Sequence, residues 1–205
     1  IFSFQNSNAQ TPVKPLSVED AISVALKNNL EMQSQQLNVQ SSTALKKSVF
    51  ELPKTNVNFQ FGQYNSINQD NAFQINQSIP FPTYYSAKSN LFKAELEGTT
   101  LQQQTTANEI KAQVQYWFYQ LQYLQNTKRQ LQSLDSLYND FVSAAALRYK
   151  TGETNLLEKT TAETKRGQLL LMLQQNQTDY ENAYASLKAL LNINEDFSIS
   201  EDENF

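Results

Sequence analysis

From Thr83 to Thr151 the chain has no proline and a single glycine, Gly98. Almost nothing in that stretch can break a helix. Its apolar residues also keep step: Ile110, Val114, Trp117, Leu121 and Leu124, then Leu131, Leu134, Tyr138, Phe141 and Ala145. The steps alternate between four and three, apart from a polar slot at Lys128 and a three-residue step after Leu131, which makes a heptad-like seam. The spacing predicts one helix over 83–149 with Thr83 as its cap. At ~1.5 Å per residue it is roughly 100 Å long. Trp117, on the seam, reads as core. Gly152 fits the left-handed position that ends such a helix, with Arg148 and Lys150 near its negative end. Asn155 and Glu158 then resemble a capping box, opening a return helix over 155–192. That helix carries Ala162, Leu169, Leu173, Asn176, Tyr180, Ala183, Leu187 and Leu190 on one face. Few residues join the two helices, so they run antiparallel, and the shorter covers about half of the longer.

Upstream the punctuation is denser. Pro12 and Pro15 precede Ser17, a helix cap followed by Glu19 and Asp20 in the first turn. A helix is expected over 18–50, with Leu26, Leu30, Leu37 and Ala44 on one face and Val49 and Leu52 closing it. After Pro53 the period changes to two. Val57, Phe59 and Phe61 alternate with polar residues, as do Phe73, Ile75 and, less cleanly, Ile79. Residues 65–71 between them have turn chemistry. A β-hairpin is expected over 54–80, with arms Lys54 to Tyr64 and Asn71 to Ile79, until Pro80 and Pro82 stop it. The chain thus reads as a single repeat over 16–193. Residues 1–15 are either the remnant of an export leader, with Ser7 and Ala9 as the small residues of a cleavage site, or a linker. Residues 194–205 form an acidic tail without a period.

Composition excludes several functions. With 20 acidic against 16 basic residues the chain lacks the excess of cations that nucleic-acid binding requires. It has no cysteine and no histidine. Thiolate or imidazole metal sites and histidine-based nucleophilic catalysis are therefore ruled out within it, and no cofactor is expected. No apolar run approaches the ~20 residues of a membrane-spanning helix. Glu95 with Glu97, and Asp135 with Asp140, are the nearest approach to a carboxylate pair. They read as solvated helix surface.

A helix near 100 Å is several times the diameter of a compact domain of this length, and it needs packing along its seam. A lone two-stranded hairpin is marginal in water. Assembly of several copies solves both problems. The hairpins would then close a barrel with Val57, Phe59, Phe61, Phe73, Ile75 and Ile79 toward lipid, and the helices would pack side by side; the alternation alone describes more commonly a surface hairpin on a soluble core, and the seam alone an ordinary coiled coil.

Two segments carry a family resemblance. Leu16-Ser17-Val18-Glu19-Asp20-Ala21-Ile22, continuing to Ala25-Leu26-Lys27-Asn28-Asn29, resembles the N-terminal signature of the TolC-like outer-membrane efflux proteins. Arg148-Tyr149-Lys150-Thr151-Gly152-Glu153-Thr154, then Leu157-Glu158 and Ala162-Glu163, is similar to that family's turn between long helix and return helix. With Leu187, Leu190 and Leu191 the resemblance covers nearly residues 16 to 193. It implies a mainly α half-protomer: long antiparallel coiled-coil-like helices, and one β-hairpin contributing to an oligomeric barrel in the outer membrane of a Gram-negative-type bacterium. The implied function is a passive conduit of a tripartite efflux system, with an inner-membrane pump and a periplasmic adaptor as partners. Family members carry two repeats. The chain is then half of a longer product that forms trimers, or six single repeats assemble. The segments Gly62-Gln63-Tyr64-Asn65-Ser66 and Asp70-Asn71 through Pro80-Phe81-Pro82-Thr83-Tyr84 also look like TolC-like segments fused to heavy-metal pumps of the resistance-nodulation-division type, which implies metal cations as cargo.

By family position and cap chemistry, Arg148, Tyr149, Gly152, Thr154 and Asn155 are candidates for docking the adaptor; the alternative is a plain helix connection. Tyr64, Phe81, Tyr84 and Tyr85 are candidates for the membrane interface, against simple packing at the strand–helix junction. Two other readings of the whole chain are a soluble coiled-coil scaffold and a periplasmic adaptor. The second normally needs Gly-rich β domains flanking its helices, and none is visible here.

Overall fold

The computed structural model describes residues 15–62, 67 and 70–200. The elements are β1 (Pro15–Leu16), α1 (Val18–Asn28), α2 (Leu30–Lys47), β2 (Asn56–Gly62), β3 (Asp70–Asn76), α3 (Pro82–Lys150), α4 (Leu156–Leu191) and β4 (Ser198–Ile199), with a 3-10 turn over Ser48–Phe50. The chain divides into two compact units, Gln33–Thr106 and the remainder, and α2 and α3 contribute to both. Ser7, Ala9 and Tyr64, and the last part of the acidic tail, lie outside the described residues.

In the unit built from both chain ends, α1 and α4 pack against the second part of α3. Val18, Ala21 and Ala25 of α1 meet Ile110, Val114, Phe118, Leu121 and Leu124 of α3 and Ala183, Leu187 and Leu191 of α4. Each large side chain taken fully from water here stabilises the unit by about 1.5–3 kcal/mol. Phe118 is wholly buried, whereas Trp117, expected on the seam, is only partly covered at the edge of this cluster. The stripe widens because α3 faces two helices here, which draws in the residue beside the heptad position. The far part of the seam behaves differently. Leu134 and Phe141 were expected to be covered, yet they are exposed. Toward the end of α3, among the described residues, only α4 lies against it, and one partner covers one stripe. There Ala145 and Ala162 are buried, and Arg166 reaches across to Asp135 at 3.1 Å. Asp135 is thus an interhelical ion-pair partner rather than plain solvated surface.

The helix expected over 18–50 is broken at Asn29, whose backbone is extended (ψ 130°). Asn29 serves both sides of the break. Its N–H donates to the Ala25 carbonyl, ending α1, while its Oδ1 accepts from the N–H groups of Glu31 (2.9 Å) and Met32 (3.3 Å), opening α2. Its Nδ2 donates to Leu190 O at 3.2 Å, and Asn192 Nδ2 donates back to Asn28 O at 3.0 Å. Two asparagines therefore tie the end of α1 to the end of α4. Ser17 caps α1 as the sequence predicts, its Oγ accepting from Asp20 N at 3.1 Å.

The tail is not featureless. β4 pairs in parallel with β1, Pro15 with Ser198 and Leu16 with Ile199, and Ser200 N–H donates to Leu16 O. Phe197 stacks on Tyr184 at 4.5 Å, and Lys188 pairs with Asp196 at 2.8 Å. The hydrogen-bonded Lys188 ammonium holds the Asp196 carboxyl below its ordinary value, and Asp196 in turn raises Lys188.

In the other unit α2 runs beside the first part of α3, with Ser42 Oγ and Thr99 Oγ1 3.1 Å apart. No residue of α2 is buried. α3 begins at Pro82, not at a Thr83 cap: proline presets the helical φ at the first position, where no N–H partner exists.

Candidate functional site

The hairpin and the helical turn lie in different units and are described separately. In the hairpin, β2 and β3 are antiparallel. Val57 faces Ile75, Phe59 faces Phe73 and Phe61 faces Asn71 on one side. Asn56, Asn58 and Gln60 face Asn76, Gln74 and Ala72 in the intervening pairs, on the other side. The strands are seven residues each, shorter than the expected arms. Pairing stops at Asn56 and Asn76 because Gln77 turns back. Its Nε2 donates to Pro53 O at 3.0 Å, and its Oε1 accepts from the Thr55 hydroxyl. Ile79 therefore lies past the strand, exposed, and the distal ends of the arms fall largely outside the described residues. The five strand residues of the apolar face are brought together and are all exposed, Phe59 by 66% and Phe73 by 64%. Below the strands Phe50 stacks on Tyr85 at 5.9 Å, and Tyr85 meets Tyr84 edge-on at 5.6 Å. Phe81 is exposed. Lys88, which the sequence reading passed over, places its ammonium over Tyr84 (5.9 Å) and Phe92 (5.5 Å).

The turn after α3 is a Schellman motif. Glu153 N–H donates to Arg148 O at 2.8 Å and Gly152 N–H to Tyr149 O at 3.2 Å, with Gly152 at φ +79°. Asn155 then caps α4, its Oδ1 accepting from Glu158 N at 2.9 Å. Glu158 does not complete a capping box. Its carboxylate accepts from the Thr154 hydroxyl and pairs with Arg148 at 3.3 Å. Lys159 lies over the Tyr149 ring at 5.5 Å. Of the five turn residues named from sequence, Arg148, Thr154 and Asn155 thus share one small network, while Gly152 and Tyr149 bond to each other apart from it. Its centre is Glu158, noted from sequence only as a capping partner.

Polar contacts hold α3 and α4 in register. Lys128 Nζ donates to Gln177 at 2.9 Å, and the buried Asn176 donates to Leu124 O at 3.3 Å. The polar slot in the seam is therefore answered by polar residues opposite.

No protein-family model matches the chain, and no curated protein sequence does. Solved structures do. Over 98% of its length the chain is similar to CusC, whose crystal structures concern folding and transmembrane channel formation, with a TM-score of 0.76 at 17% identity. The fold is that of a TolC-like half-protomer. Over 91% of the chain it is similar to the Campylobacter jejuni CmeC outer membrane channel (TM-score 0.71, 13% identity), and over 90% to the outer-membrane channel OprN (0.65, 14%). The chain spans about half the length of these channels: 49%, 45% and 46% of them, respectively. With the β2–β3 hairpin, one long helix and one return helix, beside the short β1–β4 pair and helices α1 and α2, the chain has the mainly α architecture expected from the sequence.

Proposed function

We propose that the chain is a channel-tunnel component in the outer membrane of a Gram-negative-type bacterium, a passive conduit for exported solute rather than an enzyme. One observation carries this reading. A hairpin with paired aromatic and branched residues on one face leaves that face uncovered, and its other face is lined by asparagine and glutamine. Such a surface suits lipid on one side and a watery lumen on the other. The uncovered α2 and the exposed Leu134 and Phe141 fit copies packing side by side, as a trimer of two-repeat chains or as six single repeats.

The finer reading adds an inner-membrane pump and a periplasmic adaptor docking on the Arg148–Asn155 turn, whose hydrogen bonds and capped helix ends support it as a contact surface. Metal cations are the proposed cargo, on the sequence resemblance of the hairpin region. A wall without histidine or cysteine would guide them without soft ligands. The deciding experiment is single-channel conductance of the intact gene product in a planar lipid bilayer. Discrete, stable openings are expected. A silent protein that stays monodisperse without detergent would move the reading to a soluble coiled-coil scaffold.

A further inference from the structure

We propose that Lys47, Lys54 and Lys88, at the foot of the hairpin, hold the phosphate groups of anionic phospholipids in the leaflet facing the helices. The proposal rests on the membrane reading of the hairpin. Its first support is a local reversal of charge. The chain as a whole has 20 acidic and 16 basic residues, but from Ala44 to Glu97 it carries Lys46, Lys47, Lys54, Lys88 and Lys93 against Glu51, Asp70, Glu95 and Glu97, the last two further along α3 than Lys88. Asp70 sits at the opposite end of β3 from this foot. Glu51 is exposed among the lysines and offsets one of them. Among the described residues none of the five lysines has an ion-pair partner.

The second support is position. Lys54 is two residues before the first paired strand residue, in the connector stapled by Gln77. Lys47 ends α2, one turn before Phe50. Phe50 stacks on Tyr85, one turn before Lys88, so Lys47 and Lys88 lie at similar depth on neighbouring helices. Lys88 is six residues into α3, ~9 Å along the axis. The headgroup layer is about 5–8 Å deep on each side, and a lysine stem spans the difference by snorkelling. Lys46 and Lys93 line a groove with Leu96, Leu101 and the carboxylate-bearing Glu97, which offsets their charge, and are left out.

The third support is chemistry. The exposed rings of Phe50, Phe81 and Tyr84 flank the lysines, a mixture of apolar and cationic groups that fits a lipid rather than a free anion. The three lysines come from three separate segments, the end of α2, the connector before β2 and the early turns of α3.

The test uses the full-length protein in vesicles of equimolar phosphatidylcholine and phosphatidylglycerol, with a trace of spin-labelled lipid of either kind. The fraction of each label immobilised at the protein is read by electron paramagnetic resonance. A preference for phosphatidylglycerol of about two- to five-fold is expected. It should fall toward unity in K47Q/K54Q/K88Q and in high salt with the unaltered protein, while the distant K111Q/K165Q keeps it. The salt arm decides the matter if the triple variant does not insert. Equal immobilisation of both lipids by inserted protein overturns the proposal alone. No immobilised lipid at all overturns the membrane reading and the proposal with it.

Discussion

Gly152 shows how much a single position can contribute through its backbone alone. It holds φ +79° and has open space where a Cβ would stand, so any cost of a side chain there is in the backbone. Substitution should follow conformational tolerance, not size. Gly152→Asn is expected to be mildest, Gly152→Ala to cost about 1–2 kcal/mol and Gly152→Val more. Urea midpoints of the three variants would give the order, and equal effects would contradict it. The glycine was legible because helix-ending chemistry is local. Arg148 and Glu158 were each noticed, but their pairing was not, because it depends on the path of the turn. Phe118 was missed for a related reason. It neighbours Trp117 in sequence, and only the arrival of α1 as a second partner decides which ring goes inside.

Among elements, the α3–α4 pair is fixed as much by polar groups as by leucines. Asn176 is buried on the seam, and its Oδ1 has no hydrogen-bond partner among the described residues. Asn176→Leu should therefore be neutral or stabilising by about 1 kcal/mol while loosening the register, since buried polar groups specify alignment more than strength. A higher denaturation midpoint with a broader set of α3–α4 cysteine cross-links is the expected pair of results. Helix lengths and this seam could be read from the sequence because periodicity over dozens of residues averages out noise. The break at Asn29 could not, because the apolar period runs through it. The β1–β4 pair has two residues a strand, too few to show any period.

The tail also carries a charge dependence. Asp196 is held below its ordinary 3.8, so its contribution is present above that value and is lost as pH falls through the lower folded value. Lys188 is raised above 10.5, so its contribution is full below that value and is lost as pH climbs through the higher folded one. The tail should stay docked between these limits and loosen at both extremes. Hydrogen exchange at Phe197, whose N–H donates to Tyr184 Oη at 3.0 Å, would report it. Asp196→Asn should speed that exchange at neutral pH.

For the whole molecule the two hairpin faces make opposite predictions. Phe59→Arg puts a charge on the side proposed to meet lipid, at a cost of about 2–4 kcal/mol if it lies near mid-membrane, and should reduce insertion. Asn58→Arg, one residue away on the other face, should insert normally and change ion selectivity instead. Bilayer recordings and vesicle flotation of both variants check this, and similar insertion defects in both would argue against a two-sided wall. The alternation was plain in sequence, but what it faces was not, since any surface hairpin on a soluble core alternates in the same way.

The parallel pairing of Leu16 with Ile199 joins positions 183 residues apart. The α3–α4 turn closes across a few residues and can form early, while joining such distant segments is slow and entropically costly. β1 must wait for β4, so Ser200 should gain protection later than the amides of the α3–α4 turn in pulse-labelled refolding.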